Sequence, residues 1–229
     1  MDWSWLPKYL PMLIQGLGMT MQLLVISMGL GLVLAVPIGL VQVTGPKWLS
    51  RIALAYCTVM RGTPLLIQLY LFYYGLGSVL ATFPELRQSM FWPILRECYF
   101  YAILAFALNE AGYAGEIMRG AFLSVPKGEL EAARAIGMSP WQVLRRVWLP
   151  RAIRNVLPTL GGETILTLKS TPLAALVTVV DLFGVSDRVR QETYIIYEPL
   201  LLVMVIYMIL TFIITRIFAV VERQIPARR

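Results

Sequence analysis

The chain has 229 residues, of which 58% are hydrophobic and only 14% charged. A soluble domain carries about a quarter charged residues, so the composition excludes one and describes an integral membrane protein of one domain. The net charge of +7 sets orientation across a bilayer rather than binding nucleic acid, because no aromatic-interleaved basic surface accompanies it.

Residues 1–15 place Trp3, Trp5 and Tyr9 among Pro7 and Pro11, the make-up of an N-terminal interfacial segment. No basic stretch followed by a cleavage site precedes the first apolar run, so a removable signal peptide is not expected and the first span should direct insertion. Span one covers about 16–43, more than the ~20 residues a bilayer core requires. Gly29, Gly31 and Gly39 permit close helix packing there, and Pro37 predicts a kink. Span two covers about 52–80 and is interrupted by Arg61-Gly62-Thr63-Pro64. An arginine is costly at mid-bilayer, so Arg61 should sit near a face or in a polar interior. Residues 83–97 read as a loop.

Span three, about 98–118, carries Asn109, Glu110, Tyr113 and Glu116. The run from Glu129 to Pro158 is the longest highly charged stretch, and it reads as two short helices. The first spans about 128–136 and is stopped by Gly137 as a C′ glycine. The second is capped by Ser139, has Pro140 in its first turn and Gln142 completing a Ser-x-x-Gln capping box, and is closed by Pro150. Arg134, Arg145, Arg146, Arg151 and Arg154 make this element basic. Span four, about 155–180, is the most polar, with Glu163, Thr164, Thr167, Lys169, Ser170 and Thr171. It should line an aqueous cavity or a subunit interface. A polar loop is expected over 181–198, span five over about 199–221, and a basic tail over 223–229.

Lysine and arginine fix the orientation. Five spans put Lys47, Arg51, the basic element and the tail on one side; counting Arg61, Arg119 and Arg216 there gives 14 of the 20 cations. Lys8, Arg87, Arg96, Arg188 and Arg190 lie on the other side, and Lys169 is inside span four. The bias predicts the N-terminus outside and the C-terminus, with the charged element, in the cytoplasm.

Several chemistries are excluded. Cys57 and Cys98 form neither a disulfide framework nor a CxxC metal site, and the chain contains no histidine. There is no G-x-x-x-x-G-K-[ST] segment to bind a nucleotide phosphate. A polytopic membrane enzyme using Glu110, Glu116 or Glu163 as acid–base groups is the alternative class, weakened by the absence of histidine, a metal-ligand cluster or a Ser/Lys dyad.

Glu131-Ala132-Ala133, three residues, Gly137, nine residues, then Val147-Trp148-Leu149-Pro150 resembles the EAA loop of ABC-importer permeases, EAA-x3-G-x9-I-x-LP, with Val147 in place of isoleucine. RGTPLLIQL and ALNEAGYAGEIMRGA resemble segments of polar amino acid permeases, of the histidine/lysine/arginine/ornithine or opine type. The resemblance covers about residues 16–222. It implies an all-α type I importer permease of about five transmembrane helices, with the coupling loop at about 127–150.

The resemblance further implies an inner-membrane subunit that is not an enzyme and holds no cofactor; ATP and Mg are bound by two partner ATPase subunits. A second permease subunit, identical or homologous, and an extracytoplasmic solute-binding protein complete the expected set. Glu131, Ala132, Ala133, Gly137, Leu149 and Pro150 then fall to ATPase coupling. Arg61 is either a hinge residue beside the ATPase interface or an arginine reaching to lipid head groups. For substrate, Glu163 is the sharpest candidate, as a carboxylate for a cationic side chain or α-ammonium, with Asn109 and Glu110 contributing. Lys169 could receive an α-carboxylate or neutralise Glu163 through the partner subunit. The implied substrates are basic amino acids or related opines; a permease for another small solute is the alternative.

Overall fold

A computed structural model describes residues 3–224, and among these the fold is all-helical. Helix α1 runs over Leu6–Thr44, α2 over Lys47–Gly62 and α3 over Leu65–Leu80. Two single-turn helices follow, α4 (Pro84–Arg87) and α5 (Trp92–Leu95). Next come α6 (Cys98–Ser124), α7 (Lys127–Ala135), α8 (Pro140–Val177), α9 (Leu182–Thr193) and α10 (Tyr197–Gln224). The five expected spans map onto α1, the α2–α3 pair, α6, α8 and α10. Length and apolarity alone mark α1 and α10 as membrane-crossing, and up to four spans when each bent pair, α2–α3 and α8–α9, is taken as one.

Helix α6 carries Asn109, Glu110, Glu116 and Arg119, yet it is the axis of the bundle. It packs along α1 over its longest interface and also meets α2, α3 and α8. Its buried residues are mostly small: Ala102, Ala105, Ala107, Ala111, Gly112, Ala114 and Gly115. Small side chains let helix backbones approach in lipid, where packing rather than water exclusion drives association. Against α1 the approach is close at two glycines of that helix. A Cβ on Gly31 would lie 2.7 Å from the Cβ of Glu110, and one on Gly39 would lie 2.8 Å from that of Met118. Gly29 is different: nothing lies within 4 Å of its Cβ position, so it makes no close approach.

Three other expectations are corrected and one is sharpened. The first span, expected from about residue 16, begins ten residues earlier: α1 starts at Leu6, and Trp5, Tyr9 and Leu13 pack against Leu182, Val185 and Val189 of α9. Tyr9 is tied there by its hydroxyl, which donates to Glu192 at 2.6 Å. The interruption read in the second span at Arg61–Pro64 is present, as a full break between two helices. Thr63 is extended, with φ −114° and ψ 142°, because the ring of Pro64 disfavours helical geometry in the residue before it. The two halves meet at 103°. The polar loop expected over 181–198 contains α9, whose Leu182, Val185 and Val189 form a buried stripe at helical spacing. Asp181 caps it, accepting the Gly184 N–H at 2.8 Å. Finally, Pro150 does not close the second loop helix. It lies inside α8, directly after a π-helical turn at Leu144–Trp148, a wider turn in which the hydrogen-bond ladder shifts register. The basic tail, from residue 225 onward, lies outside the described residues.

Candidate functional site

The break between α2 and α3 opens a cavity of about 420 Å³. Its walls are the hinge Arg61-Gly62-Thr63-Pro64-Leu65; Phe106, Asn109, Glu110 and Tyr113 of α6; and Glu163, Leu166, Thr167 and Ser170 of α8. Three charged side chains, Arg61, Glu110 and Glu163, therefore meet in one space within a chain that is mostly apolar. Charges in a membrane-spanning bundle are expensive unless they face such an interior.

Each wall residue has a distinct setting. Glu110 is only 3% exposed; its Oε2 accepts the hydroxyl of Thr167 at 2.9 Å, while Oε1 has no hydrogen-bond partner. Glu163 is half-buried, and Arg61 is exposed, with its guanidinium 5.8 Å from the ring centre of Tyr113. Asn109 is occupied differently. Its Nδ2 donates to the Met60 carbonyl at 3.1 Å and to Gln68 Oε1 at 3.0 Å. Gln68 Nε2 in turn donates to Met60 O at 2.9 Å, Thr63 O at 3.2 Å and Thr63 Oγ1 at 2.7 Å. Asn109 and Gln68 thus satisfy carbonyls released where the helix breaks and pin the hinge to α6.

Of the four substrate candidates read from the sequence, three come together here: Asn109, Glu110 and Glu163. Lys169 does not; it is exposed and lies off the cavity wall. The sequence places Arg61 near a face or in a polar interior; the structure puts it at the α2–α3 bend, as the cation on the cavity wall. Its signal was the X-Pro step three residues later, which turns the end of α2 toward α6. Gln68 was missed, although a lone glutamine in the apolar run Leu65–Leu80 marks a buried hydrogen-bonding task.

The residues expected to couple to an ATPase lie together in the charged loop, around α7 and the start of α8. Helix α7 ends in a Schellman motif: Gly137 N–H donates to Arg134 O at 2.9 Å and Met138 N–H to Ala133 O at 3.2 Å. Gly137 has φ +84°, the left-handed geometry that glycine adopts without steric cost. The capping box is present in both directions, Ser139 N–H to Gln142 Oε1 at 2.9 Å and Gln142 N–H to Ser139 Oγ at 3.4 Å.

Leu130 and Ala133 are buried in a core with Met118, Phe122, Val143 and Ala152, and Leu149 packs against it. Ala133 therefore faces inward, not toward an outside groove as its place in the motif suggested. Glu131 and Ala132 face out, and among the described residues Glu131 has no ion pair. Two polar ties reinforce the frame. Arg151 grips Glu129 through two nitrogens, and the Trp148 indole N–H donates to Phe122 O at 2.9 Å. At the tip, Ile136 and Trp141 stay 76% and 66% exposed.

A polar cavity in a bent-helix bundle, joined to a rigid amphipathic loop, is an arrangement for moving a solute. Residues 27–225 match the family model described as binding-protein-dependent transport system inner membrane component. This chain belongs to that family. The permease is 43% identical over 218 residues to the octopine transport system permease protein of Rhizobium radiobacter, covering 95% of this chain and 87% of that one. It is 37% identical to the nopaline transport system permease protein of Agrobacterium fabrum, covering 97% and 91%. A crystal structure of an amino acid ABC transporter with histidines superposes with a TM-score of 0.81 at 32% identity, covering 98% of this chain and 99% of that one. The permease is thus a multi-pass inner-membrane component of an ABC importer of the polar amino acid and opine group. It is a transport subunit; ATP hydrolysis belongs to ATPase partners, and a solute-binding protein serves the same system.

Proposed function

We propose that this permease moves basic amino acids or arginine-like opines, and that the cavity between α2, α3, α6 and α8 is where they pass. The observation that carries the reading is the pair of carboxylates, Glu110 and Glu163, on facing helices of one cavity. The unpartnered Oε1 of Glu110 is a buried acceptor without a donor. Such a group is costly unless something supplies a hydrogen bond, and a guanidinium or ammonium does so. The names of the octopine and nopaline relatives fit the same substrate class.

Drive comes from the loop. Glu131 and Ala132 present the outward face of α7 to an ATPase subunit, which binds ATP and Mg. Ala133, Gly137, Leu149 and Pro150 hold that face at a fixed angle to α8. Because α8 carries Glu163, a push on the loop reaches the cavity through continuous helix. The N-terminus lies outside and the loop and C-terminus in the cytoplasm, as the cation bias argues: with Arg61 left out because it lines the cavity, it is 13 to 5. A second permease subunit covers the exposed side of the cavity.

The test is ATP-driven uptake into liposomes by the permease co-purified with its ATPase and solute-binding protein. Accumulation of arginine, lysine or octopine is expected, and Glu163→Gln should lower it by about tenfold or more, the effect of losing roughly 1.4 kcal/mol of recognition. Uptake of a neutral solute alone, unaffected by Glu163→Gln, would overturn the substrate class.

A further inference from the structure

We infer that Arg61 is the group that reads the carboxylate of the transported solute, and that by doing so it places the bound solute directly on the α2–α3 hinge. The inference rests on the proposed cavity reading and names one more specificity-determining residue within it. Among the described residues lining that cavity, Arg61 is the one cation, and it faces a space that also holds Glu110 and Glu163. It forms no ion pair within 4.0 Å with either carboxylate or with any other described residue. Its guanidinium rests near the face of Tyr113, and the Tyr113 hydroxyl donates to the Arg61 carbonyl at 3.4 Å, so both ends of the residue are referred to α6. A planar fork of N–H donors held there is suited to a carboxylate, which it binds through two parallel hydrogen bonds.

The charges then sort by chemistry. An amino acid with a cationic side chain has its carboxylate at one end and its positive groups elsewhere. The cavity has one cationic group on the hinge and two carboxylates on the opposing helices. Lys169, the α8 cation nearest in sequence to the cavity residues, is exposed and off the wall and cannot take that role in this structure.

The consequence reaches beyond affinity. Arg61 is in the last turn of α2, two residues before the extended Thr63. The Met60 and Thr63 carbonyls on either side of it are held by Gln68 and Asn109. A carboxylate on Arg61 therefore bears on the residues where the 103° bend is made, and an amine lacking the carboxylate leaves the hinge unloaded.

Matched ligands separate this from the broader reading. The assembled permease–ATPase complex in nanodiscs, without the solute-binding protein, would be titrated with L-arginine, L-lysine and octopine, and with the decarboxylated amines agmatine and cadaverine. The carboxylate-bearing ligands should bind at least about tenfold more tightly than the amines, as expected for a lost charge-assisted pair. Arg61→Gln should bring that ratio to about one, and Arg61→Lys, which keeps the charge, should retain part of it. Glu163→Gln should weaken both members of a pair alike. If acids and amines bind equally to the unmodified complex, if Arg61→Gln leaves the ratio unchanged, or if Arg61→Lys loses it as fully as Arg61→Gln, Arg61 is not the carboxylate reader. If none of the five binds, the cavity reading itself fails. Thermal unfolding of each variant complex checks that it is assembled.

Discussion

Gly31 and Glu110 are in contact across the α1–α6 interface: a Cβ built on the glycine would sit 2.6 Å from the Cγ of the glutamate. The glutamate cannot turn away freely, because its Oε2 accepts the Thr167 hydroxyl from α8. One glycine thus sets the spacing at which α1, α6 and α8 meet, and it does so beside the cavity.

Gly31→Ala should therefore destabilise the permease by about 1–3 kcal/mol, the usual effect of overpacking a filled interior. Gly29→Ala, on the same helix with open space around it, should be close to neutral. Thermal unfolding in detergent compares the two; equal effects would show that the close contact does not set the spacing.

The ion pair between Glu129 and Arg151 couples α7 to α8, at 3.1 Å for Nε and 2.9 Å for Nη2. Both side chains are only partly exposed, at 34% and 25%. A double-mutant cycle should give a coupling of about 1 kcal/mol, the upper part of the range for pairs near a surface. Exchanging the two, Glu129→Arg with Arg151→Glu, should recover transport lost in either single variant. Persistent loss in the exchange would mean the pair acts through something other than its mutual attraction.

Replacing Gly137 with alanine should strain the α7 terminus by about 1–2 kcal/mol, since its φ of +84° is left-handed. Asparagine, which tolerates that region better, should cost less than alanine. Space is not the obstacle, because nothing lies within 4 Å of the Cβ position. Limited proteolysis of the loop, together with transport-coupled ATPase activity, reads both variants; faster cleavage for alanine than for asparagine is expected.

Gln68→Leu should loosen the hinge, because it leaves the Met60 and Thr63 carbonyls short of a donor and removes an acceptor from Asn109. The expected loss is about 1–3 kcal/mol for buried groups left unpaired. A spin-label or fluorescence distance between α2 and α3 should broaden in this variant. An unchanged distance distribution would show that the proline step alone holds the bend.

Local chemistry was legible in advance. The Ser139–Gln142 box, the Gly137 stop and the start of the loop helix near Gly128 each depend on residues within one turn of one another, so a few neighbours suffice to specify them. The stripe Leu182, Val185, Val189 was equally present in the sequence, but its polar surroundings led to a loop where a twelve-residue helix stands. Pro150 shows the opposite failure: proline was taken as a terminator, whereas the wider turn before it lets the helix continue. In the cavity, Glu110 and Glu163 stood out because charge is rare in an apolar chain. The role of Arg61 did not, since which cation faces them depends on the direction α2 takes after residue 62.

The sequence by itself determined that the chain is apolar enough for a membrane, that its cations are unevenly spread between its loops, and where its charged loop begins and turns. These follow from hydrophobicity, charge and short-range capping, all of which act on residues close in the chain. Only the tertiary structure decided that α2 and α3 meet at 103°, that Ala133 faces inward, and that Arg61 rather than Lys169 shares a cavity with the two carboxylates. Those outcomes depend on helix-to-helix approach set by small residues far apart in the chain, and no local pattern carries the angle at which two distant helices come to rest.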